Sequence, residues 1–333
     1  FTPRAILRIV LILLVLSGIL FAYPVWRLGQ WLLLPTWLNV TITLPLFLSQ
    51  LIARIVLRRR HGRTAFVLRG AADFFLGLSP LLLTGVLLGE MVLLVFAVST
   101  GTIAKLVLAA TLLLGLYGLK KAWRPDVVDV ALTSPKLDRP LRFAQISDVH
   151  IGSRSARFLE RVLRLVNSLD VDFLCITGDF IDMPGVGDRE LSALRDCEAP
   201  VYFSVGNHER YEDLEDIIER LEAYGVTCLR SRAAIRGEVQ LIGIDDSERP
   251  TQVERELTTV AIDHRRFVLL LYHRPRGFTS AAEAGVDLMI SGHTHNGQVV
   301  PFNLVVNRVF EQSVGLFSKG RTRLYVSPGT GTW

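Results

Sequence analysis

The sequence predicts an all-α membrane domain of about four helices followed by an α/β domain, and three observations support this fold class. Residues 1–124 contain nearly all of the long uncharged apolar runs. From residue 125 to residue 333, short apolar runs alternate with polar loops and amphipathic segments, as in α/β domains. The same region has the charged, turn-rich composition of a soluble globular domain. We therefore expect two domains, residues 1–124 and residues 125–333.

The apolar region offers four segments that are long enough to cross a bilayer as helices, for which about 20 residues suffice. They are residues 5–23, residues 31–57 and, with room for two crossings, residues 74–119. Pro35 and Pro45 should kink or shorten the second helix, and residues 99–101 are expected to form the turn between the third and fourth. Glu90 and Lys105 would lie in or near the apolar layer, where they could pair or extend toward the same surface.

Basic residues predict the orientation of these helices. Five arginines without an acidic neighbour lie between the second and third segments: Arg58, Arg59, Arg60, Arg63 and Arg69. The loop between the first and second segments has only Arg27. Excess Arg and Lys marks the cytoplasmic side, and a merely solvated loop would not explain this one-sidedness. With four crossings, the basic segment 120-KKAWR-124 lies on the same side, so we expect the α/β domain in the cytoplasm.

The cysteines and the net charge fit this interpretation. Cys175, Cys197 and Cys228 are odd in number and form no C-x-x-C pair, so reduced thiols are expected. The net charge of +5 comes largely from basic clusters beside the membrane. These clusters would meet anionic lipid headgroups, and we expect no nucleic acid partner.

The second domain alternates predicted strands with predicted helices. The strands are residues 143–147, 171–177, 201–205, 239–244, 267–272, 287–291 and 324–327. The helices are residues 154–169, 188–197, 212–224 and 277–285. Strands so rich in Val, Ile, Leu and Phe are expected to be buried between layers of helix.

Polar residues follow five of these strands directly. They occur in 147-SDVH-150, 178-GD-179, 206-GNHE-209 and 292-GHTH-295, and as His273. In α/β sheets the carboxyl ends of the strands form the rim where ligands bind. The side chains brought to this rim are Asp148, His150, Asp179, Asn207, His208, His273, His293 and His295.

The chemistry of this set is that of metal ligands. Carboxylate, imidazole and amide groups suit Mn, Fe, Zn or Mg, and the absence of thiolates argues against a purely structural zinc site. Side chains at i and i+2 of an extended segment share a face, as in the D-x-H and H-x-H pairs. A single histidine after a strand is more often an ordinary polar residue, but five such junctions favour a metal centre. We interpret His61 and His264 as surface residues.

The series D-x-H, G-D, G-N-H-E, H and G-H-x-H, in this order, resembles the calcineurin-like metallophosphoesterase superfamily over residues 141–331. The segments 146-ISDVHIGS-153 and 326-VSPGTG-331 are similar to its membrane-associated branch. That branch includes transmembrane metallophosphoesterases and UDP-2,3-diacylglucosamine hydrolases. Glu209 stands where many relatives have Asp.

The resemblance implies a four-layer α/β/β/α sandwich with a dinuclear metal site. By motif, Asp148, His150 and His295 would hold one ion. Asn207, His273 and His293 would hold the other, and Asp179 would bridge the two. Two divalent metal ions are implied, Mn first, with Fe, Zn or Mg as alternatives. His208 would stabilise the transition state or protonate the leaving oxygen, and Glu209 would orient it.

These features predict an integral membrane phosphoesterase that hydrolyses a phosphate ester or pyrophosphate of a lipid by in-line attack of a metal-bridging hydroxide. The first expectation is a UDP-2,3-diacylglucosamine-type pyrophosphohydrolase. The alternatives are another phospholipid phosphatase, a soluble phosphodiesterase, and a noncatalytic metal-binding membrane receptor or scaffold. The chain has no G-x-x-x-x-G-K-[ST] loop and no G-x-S-x-G elbow, which disfavours P-loop enzymes and α/β-hydrolases.

Two further features bear on the substrate. Four arginines flank the motif loops and could bind a second phosphate or a nucleotide, although surface roles are the common alternative. They are Arg154, Arg157, Arg274 and Arg276. Residues 299–317 are apolar with few charges and could line an acyl-chain groove or enter the membrane interface; a buried strand and loop is the alternative. The expected partners are therefore the bilayer and a lipid-linked phosphate.

Overall fold

A computed structural model describes residues 3–57, 60, 62–300 and 302–331. The chain forms two compact units, Phe1–Lys121 with Val299–Pro301, and Ala122–Gln298 with Phe302–Trp333. Arg58, Arg59 and His61, on which part of the sequence analysis rests, lie outside the described residues.

The first unit contains four helical spans that are long and apolar enough to cross a membrane, as predicted: Val10–Trp31, Thr36–Val56, Arg63–Val95 and Thr100–Trp123. Their helices are α1 (Pro3–Ser17), α2 (Tyr23–Trp31), α3 (Thr36–Leu51), α4 (Arg63–Val95) and α5 (Thr100–Trp123), with π-helical segments at Gly18–Ala22 and Ile52–Val56. Pro35 precedes α3, so it starts that helix, while Pro45 lies inside it. The turn between α4 and α5 falls at residues 96–99, slightly before the predicted position.

The polar contacts of Glu90 differ from the prediction. Its carboxylate accepts hydrogen bonds from Arg27 Nε and from the Tyr23 hydroxyl, both at 2.6 Å. The predicted pairing with Lys105 is therefore wrong, and Lys105 is exposed. The reason is that the first span runs on to Trp31, so Arg27 lies on a helix rather than in a loop.

The second unit is built on two sheets. The first is parallel, in the order β1 (Phe143–Ile146), β2 (Phe173–Thr177), β3 (Val201–Ser204) and β4 (Thr227–Cys228). The second has the order β5 (Arg232–Arg236), β6 (Val239–Ile244), β7 (Phe267–Tyr272), β8 (Leu288–Ser291), β10 (Thr322–Val326) and β9 (Gly315–Lys319). Only its edge strands, β5 and β9, are antiparallel to their neighbours. All seven predicted strands are present, and β4, β5 and β9 are additional.

Three apolar clusters hold these sheets and the helices in four layers, which confirms the α/β/β/α fold. Between the sheets, side chains such as Phe173 and Tyr202 pack against Leu269 and Leu271. Helices cover the outer face of each sheet. The first sheet is covered by α6 (Ala156–Asn167), α7 (Asp188–Leu191) and α9 (Leu214–Ala223), and the second by α10 (Gln252–Leu257) and α11 (Phe278–Glu283). The unit also contains α8 (Asn207–Tyr211) and α12 (Phe302–Val309), with 3₁₀ turns at Ser192–Asp196 and His295–Gly297. Because β2 and β7 are buried on both faces, their sequences are continuously apolar.

Three of these helices were not predicted. α8 and α10 are only five and six residues long, too short for a clear helical period. α12 lies within the apolar stretch 299–317, so the buried strand and loop alternative is wrong for Phe302–Val309.

Candidate metal centre

Five parallel strands end at one rim, and the loops that follow them are joined by backbone hydrogen bonds. The Asp148 and His150 amides donate to the carbonyls of Gly178 and Asp179, at 3.1 and 3.0 Å. The Gly292 amide donates to the His273 carbonyl at 2.9 Å. The first two bonds fix the loops after β1 and β2 relative to each other, and the third fixes the loops after β7 and β8.

Asp148, His150 and His295 form the first of two ligand groups at this rim. The His150 and His295 Nε2 atoms are 3.1 Å apart, and His295 Nε2 is 3.3 Å from Asp148 Oδ1. Their candidate ligand atoms all lie within 4.8 Å of one another. Asp148 and His150 are fully buried, so this group is shielded from bulk water.

Asp179, His273 and His293 form the second group. His273 Nε2 lies 3.1 Å from Asp179 Oδ2 and 3.2 Å from His293 Nδ1. His273 Nδ1 is 2.8 Å from the Thr177 carbonyl, which can only accept, so Nδ1 carries a proton and Nε2 is the nitrogen that faces the site. The His293 amide donates to both oxygens of Asp148 at 3.1 Å, which ties the second group to the first.

Asn207 and the facing histidine nitrogens fit divalent cations. The Asn207 side-chain oxygen is buried and has no hydrogen-bond partner among the residues that the structure describes. Imidazole nitrogens that face one another can share at most one proton, whereas a cation accepts a lone pair from each. Imidazole, carboxylate and amide donors together suit Mn, Fe or Zn better than Mg.

The backbone at the rim is strained. Five non-glycine residues of the two groups have positive φ, between 48° and 75°: Asp148, His150, Asp179, His293 and His295. Such a conformation is uncommon for residues other than glycine and costs about 1 kcal/mol or more each. The fold holds these residues in conformations that the isolated chain disfavours, and strain of this kind is concentrated at functional sites.

Two glycines let the loops approach the carboxylates. A Cβ at Gly206 would lie 2.3 Å from Asp179 Oδ1, and one at Gly292 would lie 2.2 Å from Asp148 Oδ2. Both distances are too short for any side chain. Gly206 and Gly292 are therefore required by close packing at the site.

The groups at the rim shift one another's pKa values. Burial alone would raise the pKa of Asp179, but the neighbouring His273, His208 and His150 outweigh it and hold that pKa well below its usual range. Burial opposes protonation of His273, yet Asp179 and Asp148 raise its pKa to about 10. Burial and the positive charge of His273 lower the pKa of His293 to about 2. The rim therefore holds one histidine that favours the protonated form, His273, and one that favours the neutral form, His293.

Glu209 binds the backbone of two loops at the rim. Its fully buried carboxylate accepts backbone hydrogen bonds from Asp179, Phe180, Ile181 and Gly206, at 2.6–3.0 Å. It therefore joins the loop after β2 to the loop after β3. Burial and Asp179 raise the pKa of Glu209 to about 7, while the N–H donors favour the charged form.

His208 lies at the open side of the rim. Its Nε2 is 3.9 Å from Asp179 Oδ2, its ring meets the His150 ring edge-on at 4.7 Å, and its amide donates to Asp179 Oδ1 at 2.9 Å. The side chain is 20% exposed, more than the neighbouring Asp179 at 4%. His208 is therefore placed to meet a substrate.

Asp182 is a buried carboxylate at the rim that the sequence analysis missed. Its Oδ2 lies 3.4 Å from His150 Nδ1, and its Oδ1 accepts the Ser153 amide at 3.0 Å. Burial tends to lower the pKa of His150, but Asp182 and the other carboxylates raise it overall. The signal in the sequence was its position three residues after Asp179, in 178-GDFID-182.

The four arginines predicted to bind substrate fall into different environments. The Arg274 guanidinium is buried and donates to both oxygens of Asp246, at 2.6 and 3.2 Å. Arg154 is half-buried, stacks on Phe158 and donates to the Ala122 carbonyl. Arg157 and Arg276 are exposed. The structure brings none of the four into hydrogen-bond contact with the two ligand groups among the bonds it describes.

Comparison with known proteins agrees with the motifs. Residues 141–297 match the family model for the calcineurin-like phosphoesterases. A Danio rerio relative, described as a transmembrane protein with metallophosphoesterase domain, is 33% identical over 270 residues, which are 71% of this chain and 60% of the relative. An uncharacterised metallophosphoesterase of Helicobacter pylori is 30% identical over 223 residues, 63% of this chain and 60% of the relative.

A shorter relative is matched over most of its length. It is an uncharacterised metallophosphoesterase of Aquifex aeolicus, 30% identical over 237 residues, which are 66% of this chain and 89% of the relative. The chain spans about 60% of the length of the Danio and Helicobacter relatives.

Proposed function

The chain belongs to the calcineurin-like metallophosphoesterase family, and we propose that its α/β domain hydrolyses phosphate esters or pyrophosphates at two divalent metal ions. The observation that carries this proposal is the convergence of two groups of buried histidines and carboxylates on one rim. The residues that would hold the ions are Asp148, His150 and His295 for one, Asn207, His273 and His293 for the other, and Asp179 between them. We propose Mn²⁺, with Fe, Zn or Mg as alternatives.

At such a centre, two divalent cations supply polarisation of a phosphoryl oxygen and activation of the attacking water. The residues of the chain hold the geometry. Asp179 is oriented by the His208 amide, and Asp148 by the Ser147 hydroxyl and the His293 amide. Glu209 keeps the loops that carry Asp179 and Asn207 at a fixed separation. The Asp182 carboxylate lies 3.4 Å from His150 Nδ1 and favours the charged form of that ring.

His208 is proposed as the general acid that protonates the leaving oxygen. Its ring is beside Asp179 but more open to solvent than the residues proposed as ligands around it, such as His150 and His273. A proton donor in this position must reach the leaving group, which lies on the substrate side of the rim. Its pKa is lowered mainly by burial, which makes the proton easier to transfer.

We further propose that the natural substrate is a lipid-linked phosphate, with a UDP-2,3-diacylglucosamine-type pyrophosphate first and another phospholipid phosphate second. Four membrane-spanning helices support this, since anchoring a domain requires only one. Arg157 and Arg276, both exposed, are candidates for binding a second phosphate or a nucleotide.

The test is hydrolysis by the full-length protein in detergent with Mn²⁺. The panel comprises UDP-2,3-diacylglucosamine, phosphatidylglycerophosphate, phosphatidic acid and bis-p-nitrophenyl phosphate. Asp179→Ala and His208→Ala are the variants expected to lose turnover of the lipid substrates, and His264→Ala, at an exposed histidine of the same domain, is the matched control. We expect release of UMP from the first substrate by the wild type and the control only.

Other outcomes of this panel separate the parts of the proposal. Turnover of bis-p-nitrophenyl phosphate alone would support the metallophosphoesterase activity but contradict the proposal of a lipid substrate. Absence of metal-dependent turnover on every substrate, in protein that binds metal, would instead favour a receptor or scaffold.

A further inference from the structure

Helix α12 exposes an apolar face. Leu304, Val305 and Val309 are 64%, 57% and 67% exposed, values unusual for three large apolar side chains on one eight-residue helix. Exposed apolar side chains grouped on one short helix in this way mark an interaction site.

This segment is attached to the metal centre. The Phe310 ring, at the end of α12, meets the His293 ring at 5.7 Å and an angle of 78°. The Thr294 hydroxyl, between the two histidines of the H-x-H motif, donates to the Ser313 carbonyl at 2.5 Å. The apolar face therefore lies beside the rim of the proposed active site.

The helix carries one basic side chain on the same face. Arg308 is exposed and lies on α12 among the exposed apolar side chains. The β9–β10 turn lies at the far end of its strands, because Val326 and not Thr322 pairs with Ser291 at the rim. Apolar side chains with Arg beside them are typical of helices that lie in a membrane interface, where the guanidinium binds lipid phosphate.

We propose that α12 is an interfacial element that inserts Leu304, Val305 and Val309 into a lipid surface and so holds the metal centre at the level of the lipid headgroups. A bilayer is the chosen occupant because the same chain carries four helical spans that are long and apolar enough to cross one. Arg308, exposed on the same face, can bind a lipid phosphate, whereas a second copy of this helix would bring a like charge against it. This docking needs a bilayer but no lipid substrate, so it can be tested apart from the proposed hydrolysis.

The test places a fluorescent label on the helix in the full-length protein. Val305→Cys, in a Cys197→Ser background, is labelled with an environment-sensitive dye in nanodiscs that contain phosphatidylglycerol. Cys197 is replaced because it is half-buried, whereas Cys175 and Cys228 are buried. Ile235→Cys is the matched control, since Ile235 is 59% exposed on the edge strand β5.

Lipids brominated on the acyl chain are then used as quenchers. We expect at least threefold stronger quenching at position 305 than at position 235. Equal quenching at the two positions would overturn the proposal, because position 305 would then be in water.

A second variant tests the charge. In Arg308→Glu protein labelled at position 305, quenching should fall at least twofold in phosphatidylglycerol nanodiscs. Quenching unchanged by this substitution would contradict the role of Arg308 in binding lipid phosphate. The Arg308 side chain is exposed, so folding should be preserved, and a thermal unfolding midpoint equal to that of the parent protein checks this.

Discussion

At the scale of single residues, the Asp179 carboxylate is closely surrounded by the groups that it contacts. Its carboxylate faces His273 at 3.1 Å and His208 at 3.9 Å, and accepts the His208 amide. The preceding Gly178 adopts positive φ, and Gly206 leaves space for the carboxylate. These contacts restrict the orientation of the Asp179 carboxylate. A carboxylate that bridges two ions, as proposed here, needs a restricted orientation.

His208→Asn should lower kcat by a factor of about 100 to 10,000, because a general acid contributes about that much. The loss should be large for substrates with a poor leaving group and small for p-nitrophenyl esters, whose leaving group needs no proton. Steady-state kinetics on a series of aryl phosphodiesters measures this dependence. An equal loss across the series would show that His208 acts on something other than the leaving oxygen.

Glu209→Gln should lower the free energy of unfolding by about 1–3 kcal/mol, because the new amide group presents N–H donors to backbone N–H donors. Thermal unfolding of the full chain in detergent measures this effect. Glu219→Gln, at an exposed position on α9, is the control and should change stability by less than about 0.5 kcal/mol. Equal stability of the two variants would show that the hydrogen bonds of Glu209 to the two loops do not stabilise the fold.

The sequence predicted the residues that meet at the rim but not the residues that support them. Asp148, His273 and His293 were visible because polar residues after apolar strands stand out. Glu209 and Asp182 owe their roles to burial and to hydrogen bonds across loops that are about 30 residues apart, which no local pattern records. The positive φ values of the rim residues likewise arise from tertiary contacts.

At the scale of elements, helix α4 carries two ion pairs, and we expect them to lie near the two surfaces of the apolar layer. Asp73 pairs with Arg54 at 2.7 Å, and Glu90 with Arg27 at 2.6 Å. At 1.5 Å per residue, positions 73 and 90 are about 25 Å apart along the helix. That separation is close to the hydrocarbon thickness of about 30 Å. Helix α4, about 50 Å long, would therefore extend beyond the apolar layer.

Breaking the Arg27–Glu90 pair should destabilise the membrane unit more than removing both charges. Arg27→Gln and Glu90→Gln each leave one charge without its partner, whereas the double variant leaves none. A double-mutant cycle on thermal unfolding in detergent should give a coupling energy of at least about 0.5 kcal/mol. Additive effects of the two substitutions would show that the pair contributes nothing to stability.

Element boundaries were less predictable than element types. The first membrane helix was expected to end at residue 23, before Pro24. Pro24 instead lies in the first turn of α2, where its missing N–H is not needed. Strands β5 and β9 were missed because they are half-exposed edge strands without an apolar run, and β4 because it has only two residues.

At the scale of the whole molecule, the distribution of arginines predicts the side of the membrane on which the α/β domain lies. The described arginines of the 58–69 segment, Arg60, Arg63 and Arg69, have no acidic neighbour there, and Lys120 and Lys121 lie in the last turn of α5. Both clusters should remain in the cytoplasm. We expect trypsin to leave the catalytic domain intact in right-side-out vesicles and to digest it in inverted vesicles. The reverse pattern would place the domain outside the cytoplasm.

The metal content of the full-length protein tests the dinuclear centre most directly. After reconstitution with Mn²⁺ and removal of excess metal, elemental analysis should find two ions per chain in the wild type and in the His264→Asn control. Asp179→Asn, which weakens both positions, should hold one ion or none. Wild-type protein that retains no metal, or an Asp179→Asn variant that retains two ions, would contradict a dinuclear centre bridged by Asp179.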